Sequence, residues 1–125
     1  MSGAWTAGEL RSIGDRDEVD VSSLRADGTV RPYVTIWLVR VGDELYVRSA
    51  YGPANGWFRR AVASGLGRVR SGGTERDVAF EVPDAEADAA VSAAYHAKYD
   101  RYGPAIVGSV VSADAVRSTL RLVPR

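Results

Sequence analysis

The chain contains no cysteine, one histidine, one methionine and a single lysine. Without cysteine there can be no disulfide, thiolate nucleophile, cysteine-ligated zinc or iron–sulfur cluster. With His96 as the lone histidine, histidine metal clusters and two-histidine mechanisms are excluded too. Net charge is also missing. Sixteen basic and sixteen acidic residues cancel, which argues against a general electrostatic partner such as duplex DNA or an anionic membrane. No apolar run approaches the roughly 20 residues of a membrane span, and Met1–Thr6 has neither the basic nor the apolar segment of a secretory signal. The expectation is therefore a cytosolic protein. The scarcity of lysine beside abundant arginine, alanine and valine reads as a high-GC genome rather than as function.

What is present is ordinary for a globular protein. The hydrophobic share is 46% and the charged share 26% over 125 residues, enough for one domain, 1–125, with one modest core. The pattern centres on Tyr33–Ser71. An apolar strand, Tyr33–Val41, turns at Gly42-Asp43 into a second strand, Glu44–Tyr51. A Gly/Pro/Asn loop then leads into a short helix beginning near Trp57 and carrying Arg59 and Arg60. A strand, a glycine-containing loop and a helix N-terminus near arginines suit an anion such as a phosphate, because loop and first-turn N–H groups are unpaired. Gly52, Asn55 and Gly56 let the backbone turn there, and Trp57 either stacks on a ring system or anchors the core. Arg59 and Arg60 point in different directions on a helix, so at most one reaches a shared site.

Register can be set by arithmetic. A two-residue loop at Gly42-Asp43 pairs residues whose numbers sum to about 85. One face then carries Val39/Tyr46, Trp37/Arg48 and Thr35/Ala50, and the other Leu38/Val47, Ile36/Ser49 and Val34/Tyr51. The second face is the more apolar and should form the core. The first, with its aromatic–arginine pair, calls for a ligand, a partner or another subunit to cover it. A second hairpin with Gly72-Gly73 at its tip sets Arg70 opposite Glu75 and Arg68 opposite Asp77, which gives those arginines a structural role.

Elsewhere, Thr6 and Glu9 match a capping box, predicting a helix over Ala7–Ile13. Asp17–Leu24 begins by alternating, with Val19 and Val21 inward and Glu18, Asp20 and Ser22 outward. Ala26–Thr29 makes a turn into the central strand. Asp84 is placed to cap a helix over Ala85–Arg101, which Gly103-Pro104 stops. Ala105–Val111 reads as a loop or short strand, Ser112–Ala115 as a turn and Val116–Val123 as a closing strand. Six short antiparallel strands with about three helices predict an α+β domain built on a closed or split barrel.

Trp37–Ser49, Gly56–Arg59, Gly67–Gly73, Ala94–Tyr99 and the tail Ser118–Arg125 carry a further likeness. From Trp5 to Arg125 the chain resembles a bacterial family of small uncharacterised proteins in the flavin-binding split β-barrel superfamily. The resemblance implies a six-stranded antiparallel split barrel that binds FMN or a deazaflavin coenzyme as a homodimer. Many such proteins reduce nitro groups, quinones or other unsaturated substrates. It implies that Arg31, Arg48, Ser49, Gly52, Asn55 and Trp57 hold the cofactor, with Arg48 and Ser49 toward the end of a central strand where a guanidinium and a hydroxyl suit a phosphate; alternatively Arg48 stacks on Trp37 and pairs with a carboxylate. Tyr95, Lys98, Tyr99 and Tyr102 form one stripe on the third helix. Tyr95 and Tyr99 would face substrate as proton donors and Lys98 would hold an acidic group, or the stripe is helix-to-barrel packing. His96 is rotated off it.

Two further readings remain open at this level. In deazaflavin-using relatives a basic turn between the first two strands helps hold the cofactor. Here Ser22–Arg31 carries Arg25 and Arg31 together with Asp27, a departure that favours a cofactor-free small-molecule-binding protein or enzyme on the same barrel. The mixed face around Trp37 and Tyr46 would instead suit a purely structural dimer.

Overall fold

A computed structural model describes residues 4–50 and 52–125. The first helix, α1 (Ala7–Gly14), starts at the capping box: the Thr6 hydroxyl accepts from the Glu9 N–H at 3.0 Å and the Glu9 carboxylate accepts from the Thr6 N–H at 2.9 Å. Strands β1 (Glu18–Ser23), β2 (Val34–Val41) and β3 (Glu44–Val47) follow, then α2 (Gly56–Ser64) and the hairpin β4 (Leu66–Ser71) and β5 (Thr74–Glu81). The chain closes with α3 (Ala87–Tyr99), a 3₁₀ turn (Asp100–Tyr102), α4 (Pro104–Val111), α5 (Ala113–Val116) and β6 (Leu120–Pro124). The six strands form a closed antiparallel barrel in the order β1-β2-β3-β6-β5-β4, sealed by β4 pairing with β1.

The second predicted register holds throughout and the first holds as far as β3 runs; the pairs expected at Trp37/Arg48, Ile36/Ser49 and Thr35/Ala50 do not form, because β3 ends at Val47. Leu38 pairs with Val47 and Val39 with Tyr46; Arg68 pairs with Asp77 and Arg70 with Glu75. Arg68 bonds Asp77 at 2.9 Å as its register implies. The Arg70 side chain departs from it, bonding Asp20 of β1 at 3.2 Å and lying 3.8 Å over the Tyr33 ring. Closure of the barrel places β1 on the far side of β4 and supplies that acid.

Period-two alternation sorts the side chains into two cores. Inside the barrel, Val19, Val21, Leu38, Leu45, Val47, Val69, Val78, Leu120 and Leu122 meet Leu10 and Ile13 of α1 and Trp57, Phe58 and Ala61 of α2. Outside it, Val39 and Tyr46 pack against Val91, Tyr95 and Tyr99 of α3 and Val107 and Val110 of α4. The chain's own helices therefore cover the mixed hairpin face at Val39 and Tyr46. Full burial of each large apolar side chain stabilises by about 1.5–3 kcal/mol, so this second cluster anchors α3 to the barrel.

Several expectations need correction. The strand expected over Glu44–Tyr51 ends at Val47. Beyond that point the Ser49 N–H turns to the Ser118 hydroxyl at 2.8 Å and the Ser49 carbonyl accepts from the Gly52 N–H at 3.0 Å, so the ladder cannot continue. Tyr51, and with it the Val34/Tyr51 pair, lies outside the described residues. Ser22, expected outside, is buried, because its hydroxyl donates to the Arg31 carbonyl at 2.5 Å. No side chain caps α3; Asp84 instead accepts the Ala87 N–H through its backbone carbonyl at 3.0 Å. Ala105–Val111 is helical: Pro104 starts α4 at a position where no N–H is needed, after Gly103 turns the chain at φ +105°. Ser112 caps α5, so the expected turn there is a short helix. The closing strand is shorter than expected, with Leu120 and Leu122 inward.

Candidate functional site

Arg48 is 2% exposed. Its Nε donates to Thr119 Oγ1 at 2.8 Å, Nη1 to Ser92 Oγ at 2.8 Å and to the Val110 carbonyl at 2.9 Å, and Nη2 to the Asp88 carbonyl at 3.0 Å. The guanidinium also lies 5.5 Å from the Tyr95 ring centroid. It neither stacks on Trp37 nor pairs with a carboxylate; it ties β3 to α3, α4 and the start of β6. Ser49 is fully buried beside it. Gly52, at φ +98°, packs against α5, where an added Cβ would sit 3.0 Å from Asp114 Cβ. Asn55 caps α2 through the Trp57 N–H, and Trp57 is 8% exposed in the barrel core. The phosphate-binding arrangement expected at the end of β3 and in the following loop is thus filled by internal contacts.

The α3 stripe is equally occupied. The Tyr99 hydroxyl accepts the Leu38 N–H at 3.2 Å and has the Asp17 and Leu38 carbonyls within 2.6 and 2.8 Å as acceptors. Its ring stacks on Trp37 at 3.9 Å. Tyr95 is wholly buried and, among the described residues, its hydroxyl has no hydrogen-bond partner. Burial pushes both phenols well above the usual tyrosine range, so both stay protonated at working pH. Tyr102 and Arg101 close the stripe by bonding the Asp17 carboxylate, and His96 pairs on the surface with Asp100 at 2.8 Å.

Lys98 joins α3 to two other segments, donating from Nζ to the carbonyls of Gly14 (2.9 Å), Arg16 (2.5 Å) and Leu38 (3.0 Å). Burial pulls its pKa down to about 8 from 10.5, against the nearby Asp17 and Asp15. Between these values the unfolded chain binds a proton that the folded chain does not, so this lysine's contribution to stability rises with pH from about 8 to about 10.5. A Lys98→Met variant should lose that increment. Urea unfolding at pH 7.5, 9 and 10 checks it, and an identical pH response in the two proteins would contradict it.

Open space lies elsewhere. A cleft of about 700 Å³ is lined by Asp15, Arg16, Asp17, Glu18, Asp20, Thr35, Arg70, Ser71 and Gly72. Its four carboxylates, Asp15, Asp17, Glu18 and Asp20, outnumber its two arginines, Arg16 and Arg70, so it does not favour an anion; Asp20 binds Thr35 and Arg70, and Asp17 binds Arg101 from outside the lining. A second cleft, of about 480 Å³, lies between the β1–β2 turn and α2 and is lined by three arginines, Arg25, Arg31 and Arg60, with no acid. Leu24, Ala26, Ala63 and Leu66 give it an apolar wall. Among the described residues, the buried Arg31 Nε has no partner. A narrow crevice shares Arg31 and Arg60 with this cleft and reaches Trp57.

The structure therefore brings Arg31 and Trp57 together, while Arg48, Ser49, Gly52, Asn55, Tyr95, Lys98 and Tyr99 line neither cleft. Asp27, the acid in the basic turn, is bound by the Thr29 N–H and hydroxyl at 3.0 and 2.6 Å and does not line the cleft. Those two hydrogen bonds hold its carboxyl below the usual range. The Thr29 hydroxyl and the Val30 carbonyl in turn accept from Arg25 Nη1 at 3.3 and 3.1 Å. Of the two helix arginines, Arg60 reaches the cleft and Arg59 does not. The signals that mark this cleft in the sequence are the pair Arg25 and Arg31 around a glycine turn and one helical arginine.

Volume and chemistry fit a phosphate-bearing aromatic ligand, since small-molecule sites occupy roughly 300–1,000 Å³ with apolar walls and a few convergent polar groups. Haem fits less well, because neither cleft is lined by a histidine, cysteine, methionine or tyrosine to ligate iron. Among the described residues no group of three or more His, Cys, Asp or Glu side chains could hold a metal ion, and no helix is long and apolar enough to cross a membrane.

Solved structures share this architecture. The haem storage protein HutZ of Vibrio cholerae superposes with a TM-score of 0.64 at 12% identity, over 88% of this chain and 82% of that one. An F420-H2-dependent reductase, FDR-A, gives 0.62 at 16%, over 88% and 95%. A Listeria innocua protein assigned as a pyridoxamine 5'-phosphate oxidase gives 0.53 at 11%, over 88% and 83%. At these identities the likeness carries the fold alone, a split β-barrel. No curated protein matches the chain by sequence. The chain belongs to DUF2255, a family of uncharacterised proteins conserved in bacteria, whose model matches residues 9–122.

Proposed function

We propose that this protein binds a flavin-type cofactor, FMN or a deazaflavin, in the Arg25–Arg31–Arg60 cleft, and acts as a cytoplasmic homodimeric reductase of a small organic substrate. The observation that carries the reading is an acid-free cleft lined by three arginines, Arg25, Arg31 and Arg60. A ligand phosphate there would accept charge-assisted hydrogen bonds from their guanidiniums. Arg31 and Arg60 would hold the phosphate from two sides, and Arg25, fixed by Thr29 and Val30, would add a third charge. Leu24, Ala63 and Leu66 would shield the ring system from water.

When bound, the cofactor would supply the hydride chemistry. In this reading Arg48, Lys98, Tyr95 and Tyr99 hold α3 and α4 on the barrel and do not touch substrate.

Titration of the purified protein with FMN and with a deazaflavin, followed by fluorescence, tests the reading. Uptake of one of them should weaken about tenfold or more in Arg31→Ala, from loss of a charge-assisted hydrogen bond, with the melting temperature unchanged or raised. Wild-type protein that takes up neither cofactor would contradict it. The apolar wall and three guanidiniums would also suit a cofactor-free binder of an anionic molecule. Thermal stabilisation by inorganic phosphate without uptake of either cofactor would select that reading.

A further inference from the structure

Gly56 is the first residue of α2, and its φ is not in the left-handed region, so the backbone does not require glycine there. What occupies the space of the missing side chain is Arg60. A Cβ on Gly56 would lie 2.8 Å from Arg60 Nη1, 3.6 Å from Cζ and 3.7 Å from Nη2, and the three nearest atoms it would meet are all in that guanidinium. Arg60 therefore folds back over the first turn of its own helix, one turn ahead of its Cα, as long helical side chains do. From there it lines both the basic cleft and the crevice beside Arg31 and Trp57.

We infer that Gly56 is a positioning residue for anion binding: its bare Cα seats the Arg60 guanidinium across the N-terminal turn of α2, facing the cleft. The inference rests on the cofactor reading above for its ligand. Arg60 lines that cleft together with Arg25 and Arg31, so the seat its guanidinium takes decides whether a third positive charge stands beside an anion bound there. A Cβ at position 56 pushes the guanidinium aside without touching backbone, so the fold pays nothing and the site loses a donor.

The opposite directions of these two effects make the test sharp. Gly56→Ala should melt no lower than wild type, because alanine is the better helix former, yet should bind FMN or the deazaflavin about tenfold more weakly. Arg60→Ala should weaken binding by a similar factor, and the double variant should be no weaker than Arg60→Ala alone. In the ligand-free protein, NMR should show a contact between the Arg60 side chain and the Gly56 Hα protons. Absence of that contact, or Gly56→Ala binding as wild type while Arg60→Ala does not, would overturn the role of Gly56 and leave the cleft reading standing. A wild type that shows the contact but takes up neither cofactor and is not stabilised by phosphate would overturn the cleft reading and, with it, the function assigned to Gly56.

Discussion

An Arg48→Ala variant is expected to lose about 3–5 kcal/mol of stability, a large share of a small domain's total. Four acceptors from three separate segments converge on this one side chain: Thr119 Oγ1, Ser92 Oγ and the carbonyls of Val110 and Asp88. Truncation strands the buried ones, at about 1–3 kcal/mol each, and leaves a cavity at a position 2% exposed. The native arrangement carries its own burden, because burial depresses the guanidinium's affinity for its proton and no carboxylate bonds it in compensation. Arg48→Met should therefore recover part of the loss by refilling the volume. Urea unfolding followed by circular dichroism measures both. A loss below about 1 kcal/mol in the alanine variant would show that α3 and α4 do not depend on this residue.

Gly67→Ala should be at least as damaging. Gly67 sits opposite Ser23 where β4 closes the barrel onto β1. A Cβ there would lie 2.2 Å from the Ser22 carbonyl oxygen and 2.5 Å from the Phe80 ring, contacts that no rotamer change at residue 67 can relieve. One side of the clash is backbone in the ladder that seals the barrel, so relief means parting β1 from β4. The expected loss is about 4 kcal/mol, in the range reserved for severe core strain. Gly65→Ala offers a control. Its αL conformation at φ +72° is strained for alanine, but nothing lies within 4 Å of an added Cβ, so about 1 kcal/mol is expected there. Comparable losses in the two variants would contradict the packing account of Gly67.

Local chemistry was legible wherever the determinants lie close together in the chain. The Thr6–Glu9 capping box, the two glycine turns and the registers they impose needed only short windows and period-two alternation, and the structure has all of them, the first register as far as Val47. Helix α4 was missed because Ala105–Val111 is apolar on every side and contains Gly108, so it shows no helical period; a Cβ on Gly108 would meet nothing within 4 Å, which is why a glycine is tolerated there. The fate of Arg48 was illegible for a different reason. Its partners lie 40 to 71 residues away, and a strand arginine among apolar neighbours looks the same whether it binds a ligand or its own helices.

The same limit applied to the site. Arg31 was singled out as a cofactor residue and shares its turn with Arg25, but the grouping with Arg60 depends on α2 packing beside that turn, which no spacing in the sequence expresses. Asp27 shows how local charge can mislead. Read along the chain it opposes an anion, whereas in the fold it is bound to Thr29, which in turn holds Arg25.

The central claim is that the anion site is the cleft between the β1–β2 turn and α2. It is tested most directly by recording amide and arginine side-chain NMR spectra during addition of FMN and of a deazaflavin. The account predicts that signals of Gly28, Arg31, Arg60 and Ala63 move together and saturate with one of these cofactors, while Trp37 and Lys98 stay fixed. Shifts centred on the cleft of Asp20 and Arg70, or no shifts with either cofactor, would contradict it.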